Sequence, residues 1–203
     1  MPATEEDPKV ADAIRSFLAV PVGQSVAEPL MATVNASTHA LPPLRITPWA
    51  NLHLTLVFLG AVPQRVLDDQ VIPRVGELLA DARPGRIHFR QVAGFPDPGS
   101  PRHLVLEGYA SPTIETLQRT LREGLAETLG HSRQEQQWRP HITVAHFRDR
   151  KPRPITATPW QAELPVAEVC LYASEQGLHG PVYRVRERWP LAQEPDEADA
   201  TET

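Results

Sequence analysis

Two stretches of strict alternation stand out along the chain, His53-Leu54-Thr55-Leu56 and His141-Ile142-Thr143-Val144. A period of two marks a β-strand with one buried face. Each His and Thr pair is therefore predicted to project from one face while the aliphatic partners enter a core. Similar extended patterns cover 15–20, 44–47, 51–59, 87–95, 103–109, 141–147, 166–173 and 182–190. The first motif strand is expected to end at Gly60, and Pro96 to Pro101 to turn a hairpin. Helical periodicity covers 22–37, interrupted near Pro29, and runs from Pro63 to about Ala82 with Val66, Val71, Val75, Leu78 and Leu79 inward. A third helix opens at Pro112, carries the stripe Ile114, Leu117, Leu121, Leu125 and Leu129, and is closed by Gly130.

Helices interleaved with strands, some joined by hairpins, predict an α+β fold in place of a doubly wound parallel sheet. No shift of composition marks a boundary inside 13–192, so one domain is expected there, with a flexible segment at 1–12 and an acidic disordered tail at 193–203. The motif strands lie 88 residues apart, which suggests two equivalent lobes facing a shared cleft.

Charge adds one refinement. The net charge of -5 is dominated by the ends, where Glu5, Glu6, Asp7, Glu194, Asp196, Glu197, Asp199 and Glu202 hold eight of the 25 acids. Residues 9–192 keep all 20 Lys and Arg and are mildly basic. The densest run, Arg148-Asp149-Arg150-Lys151-Pro152-Arg153, follows the second motif and is a candidate contact for a polyanion. No apolar run is long enough to cross a bilayer, and the acidic start is unlike a secretory leader, so a cytoplasmic location is expected. A single cysteine, Cys170, excludes an internal disulfide and reads as a packed core thiol.

A lone His on a half-buried strand is usually a hydrogen-bonded core residue. Chance supplies only about 0.1 His-apolar-Thr-apolar strings in a chain of this composition, so two copies point to chemistry. Paired imidazoles can act near neutral pH as one base and one acid, and each Thr hydroxyl can donate to an anionic oxygen. That set suits phosphoryl transfer without a metal. No Gly-rich nucleotide loop, H-E-x-x-H or zinc-ligand spacing occurs. Arg139 is read either as a phosphate contact or as an anchor before Pro140. Phe17, Trp49, Phe95 and Tyr172 could stack a base, and His39, His88, His103, His131 and His179 read as surface or structural.

The strings Asn51-Leu52-His53-Leu54-Thr55-Leu56-Val57-Phe58-Leu59-Gly60 and Arg139-Pro140-His141-Ile142-Thr143-Val144-Ala145 resemble the signatures of the 2H phosphoesterase superfamily, and within it the RNA 2',3'-cyclic phosphodiesterases, also called 2'-5' RNA ligases. The likeness extends through Phe17-Leu18-Ala19, Gly94-Phe95-Pro96, Leu171-Tyr172 and Tyr183 to Trp189-Pro190-Leu191. It implies a bilobed fold in which two antiparallel sheets form a concave cleft with helices outside. It also implies His53 as proton donor, His141 as proton acceptor and Thr55 and Thr143 as phosphate ligands, with RNA ending in a 2',3'-cyclic phosphate, or a cyclic nucleotide, as substrate for a cofactor-free enzyme; separately from the resemblance, a monomer is expected. Small cyclic nucleotides, 2'-5' oligonucleotides, ligation in reverse and a non-catalytic RNA binder stay open as alternatives. One departure is His146, where such proteins often carry an Arg contacting phosphate; on a regular strand it would face away from His141 unless a bulge intervened. Phe17, Arg139, His146, Arg148 and Arg150 are accordingly the further candidates for substrate contact.

Overall fold

The structure, a computed structural model, describes residues 12–37, 43–129, 137–148, 154–177 and 180–192. The predicted flexible N-terminus up to residue 11, the acidic tail, Gly130, Arg150, His39, His131 and His179 lie outside the described residues.

Among the described residues, nine strands and four helices run in the order β1 (Ala13–Pro21), α1 (Gln24–Ser37), β2 (Leu44–Ile46), β3 (His53–Pro63), α2 (Gln64–Val66), α3 (Ile72–Leu79), β4 (Gly85–Phe95), β5 (His103–Ala110), α4 (Pro112–Leu129), β6 (His141–Phe147), β7 (Thr158–Val166), β8 (Glu168–Gly177) and β9 (Gly180–Pro190). Every strand pair is antiparallel. The order across the sheet is β7-β4-β5-β6-β3-β1-β8-β9, with β2 added alongside β6. β3 and β6 share a single registered pair, Leu54 with Ile142. That seam divides the sheet into a half built on β3, β1, β8 and β9 and a half built on β6, β5, β4 and β7, and the motif strands flank it.

Leu54, Ile142, Leu18, Leu106, Leu121 and Leu171 are almost fully buried in one cluster that spans both halves. Each such side chain contributes about 1.5–3 kcal/mol on burial, so the seam is held by packing more than by ladder bonds. α4 buries Ile114, Leu117, Leu121 and Leu125 of its predicted stripe, with Leu129 partly buried at its end, and Gln118 on it donates to the Leu56 carbonyl at 3.1 Å.

Four local readings are corrected. α1 continues through Pro29, and Val22 stands outside it, bonding the Leu52 carbonyl. The helix after Pro63 contains a π turn at Leu67–Val71 between α2 and α3, just before Pro73, which has no N–H for a regular ladder. β3 does not end at Gly60: that residue takes φ +76° beside a register shift against β1, and the strand continues to Pro63. β7 had no counterpart in the sequence reading before Val166. It carries Pro159 and Pro165 at the sheet's edge, where a missing N–H is tolerated.

Candidate active site

Each motif histidine opens its strand. A 3-10 turn, Trp49–Asn51, leads into β3, and the Asn51 side chain donates to the Pro181 carbonyl on β9 at 3.0 Å, tying that turn across to the outer strand. Alternation then places His53 and Thr55 half-buried on the cleft face while Leu54 and Leu56 are buried; His141, Thr143, Ile142 and Val144 repeat the arrangement. Because the Leu54 and Ile142 pair is antiparallel, the motifs run past one another, and the register sets each His on the level of the other motif's Thr. The Trp138 indole N–H donates to the Thr55 carbonyl at 3.0 Å, a further tie from the second motif's approach to the first motif's strand.

The same device fixes both rings. His53 Nδ1 lies 2.7 Å from the Asn51 carbonyl oxygen, and His141 Nδ1 lies 2.7 Å from the Arg139 carbonyl oxygen. A carbonyl can only accept, so Nδ1 carries a proton in each ring and Nε2 is left as the working nitrogen.

The surroundings differ. His53 sits among Phe17 (centroids 4.7 Å), Tyr172 (6.0 Å) and Tyr183 (5.0 Å, edge-on). Phe17 and Tyr172 stack at 5.3 Å over Cys170 and Ala19 in a small cluster of their own. Burial pushes the His53 pKa below the ordinary imidazole value, the Asn51 carbonyl partly offsets this, and a charge on His141 lowers it further. His141 stacks on Phe95 at 4.3 Å, and burial lowers its pKa as well. There the Arg139 charge adds to the fall while the Arg139 carbonyl and the Glu107 carboxylate oppose it. Arg139 donates to Glu107 at 2.8 Å and to the Pro96 carbonyl at 3.1 Å, with its guanidinium 4.8 Å from the Phe95 ring centroid.

His146 reaches the cleft face by a bulge. Leu104 pairs with Ala145 and Val105 with Thr143, so Val144 is an extra residue and the parity of β6 switches. His146 then meets His103, with Nδ1 to Nδ1 at 3.0 Å, one nitrogen donating and the other accepting. Burial, with the charges of His103 and Arg45, pushes the His146 pKa down to about 4. Arg45 is its register partner on β2. Space for that guanidinium depends on Gly180, at φ +124°, where a Cβ would collide with Arg45.

The structure thus brings together His53, Thr55, His141, Thr143, Phe17 and Arg139, with His146 at the end of β6. Arg148 is exposed beyond that end, its backbone N–H bonded to the Pro43 carbonyl. Trp49 is 67% exposed, whereas Phe17, Phe95 and Tyr172 pack against the histidines or one another. Glu107, Trp138 and Arg45 carry no signal of their own in the sequence, His103 reads there as surface or structural, and Tyr183 is marked only by the family resemblance; the fold gives them these neighbours. Among the described residues no group of three or more His, Cys, Asp or Glu is placed to hold a metal ion, and no helix is long and apolar enough to cross a membrane. Cys170 is buried, and burial pushes its thiol up to about 11.

The family described as the 2'-5' RNA ligase superfamily matches residues 24–178. The chain belongs to that superfamily. Among its relatives, the RNA 2',3'-cyclic phosphodiesterase of Thermus thermophilus is 33% identical over 79% of this chain and 83% of its own length. The protein of the same name from Archaeoglobus fulgidus is 29% identical over 68% of this chain and 76% of its own. The crystal structure of TT0787 of Thermus thermophilus superposes with a TM-score of 0.75 at 29% identity, covering 88% of this chain and 98% of that one. The antiparallel, helix-poor architecture is therefore that of a 2'-5' RNA ligase superfamily member.

Proposed function

We propose that the protein hydrolyses the 2',3'-cyclic phosphate at the end of an RNA to a 2'-phosphate. The observation that carries this reading is the matched anchoring of two imidazoles beside two threonines, each Nδ1 held by the carbonyl two residues back and each Nε2 free to exchange a proton. The names of the relatives support the substrate.

In this reaction water attacks phosphorus in line with the 3' oxygen. His141 takes the water's proton, the new P–O bond forms as the P–O3' bond breaks, and His53 delivers its proton to the departing 3' oxygen. Each proton transfer is worth about 10²- to 10⁴-fold. Thr55 and Thr143 donate to the phosphoryl oxygens on which charge builds. A charge on His141 lowers the His53 pKa, which disfavours protonating both rings at once; an acid and a base acting together require one proton between them.

The family description favours a second use of the same groups. A 5'-hydroxyl in place of water would leave a 2'-5' linkage and the same 3'-hydroxyl. The reading includes a metal-free reaction by a cytoplasmic monomer. Its test is incubation with an RNA ending in a 2',3'-cyclic phosphate in the presence of EDTA, followed by identification of the terminus. A 2'-phosphate formed at an undiminished rate is expected; turnover abolished by EDTA would contradict the metal-free mechanism.

A further inference from the structure

β5 extends past the start of β6. Glu107 pairs with His141, the Gly108 N–H bonds the Pro140 carbonyl, and Tyr109 and Ala110 then pair only with His88 and Ile87 on β4. The first turns of α4 come alongside this overhang, and the segment from Gln137 to Pro140 closes a third side. The result is a cavity of about 500 Å³, within the range of roughly 300–1,000 Å³ usual for small-molecule sites.

Its walls are cationic and polar. Arg90, Arg119, Arg122 and Arg139 line it, with Glu107 and Glu115 as the only carboxylates among the described residues. Glu107 is engaged by Arg139 at 2.8 Å, and Arg90 lies 5.4 Å from the centroid of Tyr109. Among the described residues Arg90 and Arg119 have no ion pair. Tyr109 is 49% exposed and is backed by His88 with centroids 5.1 Å apart. Tyr109 is two residues beyond Glu107, so it stands about 7 Å along the strand from the level of His141. Arg139 and Pro140 border both the cavity and that histidine.

From this placement, and resting on the function proposed above, we infer that the cavity receives the nucleotide immediately 5' to the cyclic end of an RNA. Arg90, Arg119 and Arg122 hold its phosphodiester, and the exposed half of Tyr109 borders its base. A guanidinium suits a phosphodiester because it offers paired donors in a plane, and aromatic edges accept any base. This track leaves the active site at the start of β6. Arg148 stands beyond the opposite end of β6, so a short substrate cannot reach both.

The test compares a 2',3'-cyclic mononucleotide with a dinucleotide bearing the same cyclic end. For Arg119→Ala/Arg122→Ala and for Tyr109→Ala, the ratio of kcat/KM for the dinucleotide to that for the mononucleotide should fall about tenfold. For the arginine variant the salt dependence of the dinucleotide KM should also flatten by about one unit of slope. Arg148→Ala should leave the ratio unchanged. An unaltered ratio in the cavity variants, an equal loss on both substrates, or a fall confined to Arg148→Ala would overturn the inference while the proposed function stands. Failure of the wild-type protein to turn over either substrate would remove both.

Discussion

The two halves of the cleft share a backbone device and differ in everything around it. On the β3 side, the carbonyl of Asn51 orients an imidazole lodged among Phe17, Tyr172 and Tyr183. On the β6 side, the carbonyl of Arg139 orients an imidazole that has one aromatic neighbour and the Glu107–Arg139 ion pair beside it. The strand motif sets which atom of each ring does the work. The neighbours set how readily that atom holds a proton, and they come from different elements in the two halves.

The largest effect should come from removing either ring. His53→Ala and His141→Ala are each expected to lose at least about 10³-fold in kcat with little change in thermal stability, because an acid and a base act in one transition state. Thr55→Val and Thr143→Val should cost about 1–3 kcal/mol each in transition-state binding. Steady-state kinetics on a cyclic-phosphate RNA would check both. A half that tolerated its His→Ala substitution would not belong to the catalytic pair.

On stability, Phe17→Ala should destabilise the fold by about 3–5 kcal/mol, since a ring 5% exposed is lost from a packed aromatic floor. Water entering that space should also raise the His53 pKa toward 6.5 while leaving His141 nearly unmoved. Histidine titration by NMR separates the two rings. Equal movement of both would mean that the aromatic floor is not what distinguishes the halves. The complementary change is Glu107→Gln, which removes a carboxylate that favours protonated His141 and releases the Arg139 guanidinium. The His141 pKa should fall further, with a smaller change at His53.

How far the sequence anticipates this arrangement depends on whether a feature is local. His53, Thr55, His141 and Thr143 are legible because alternation on a strand is a property of a few consecutive residues, and the stripe on α4 is legible for the same reason. β7 is not, because Pro159 and Pro165 argue against a strand unless it is known to lie at the edge. The contact between His146 and His103 depends on a bulge at Val144 and on the pairing of two strands 43 residues apart, and neither leaves a mark in the local pattern. The continuation of β3 past Gly60 has a similar origin: a glycine that reads as a stop is instead the residue able to adopt the bulge's positive φ.

That His103–His146 contact gives the smallest expected effect. Both pKa values lie below the ordinary 6.5, that of His146 at about 4, so the unfolded chain binds more protons than the native one across that window. Stability contributed by the neutral pair is present above about pH 6.5 and is lost as the pH falls toward 4. Arg45, Arg102 and His141 reinforce this, since each lowers one or both pKa values. The melting temperature should drop over that interval, and His146→Asn should shallow the drop. An identical profile in the variant would show that other groups carry the acid sensitivity.

The measurement that bears most directly on the central claim is the pH dependence of kcat/KM for an RNA ending in a 2',3'-cyclic phosphate, taken with EDTA present. A single proton shared by two imidazoles, both shifted below 6.5, predicts a bell whose alkaline limb falls on the acid side of that value. A flat profile, or a bell that survives His53→Ala or His141→Ala with its limbs in place, would contradict the account.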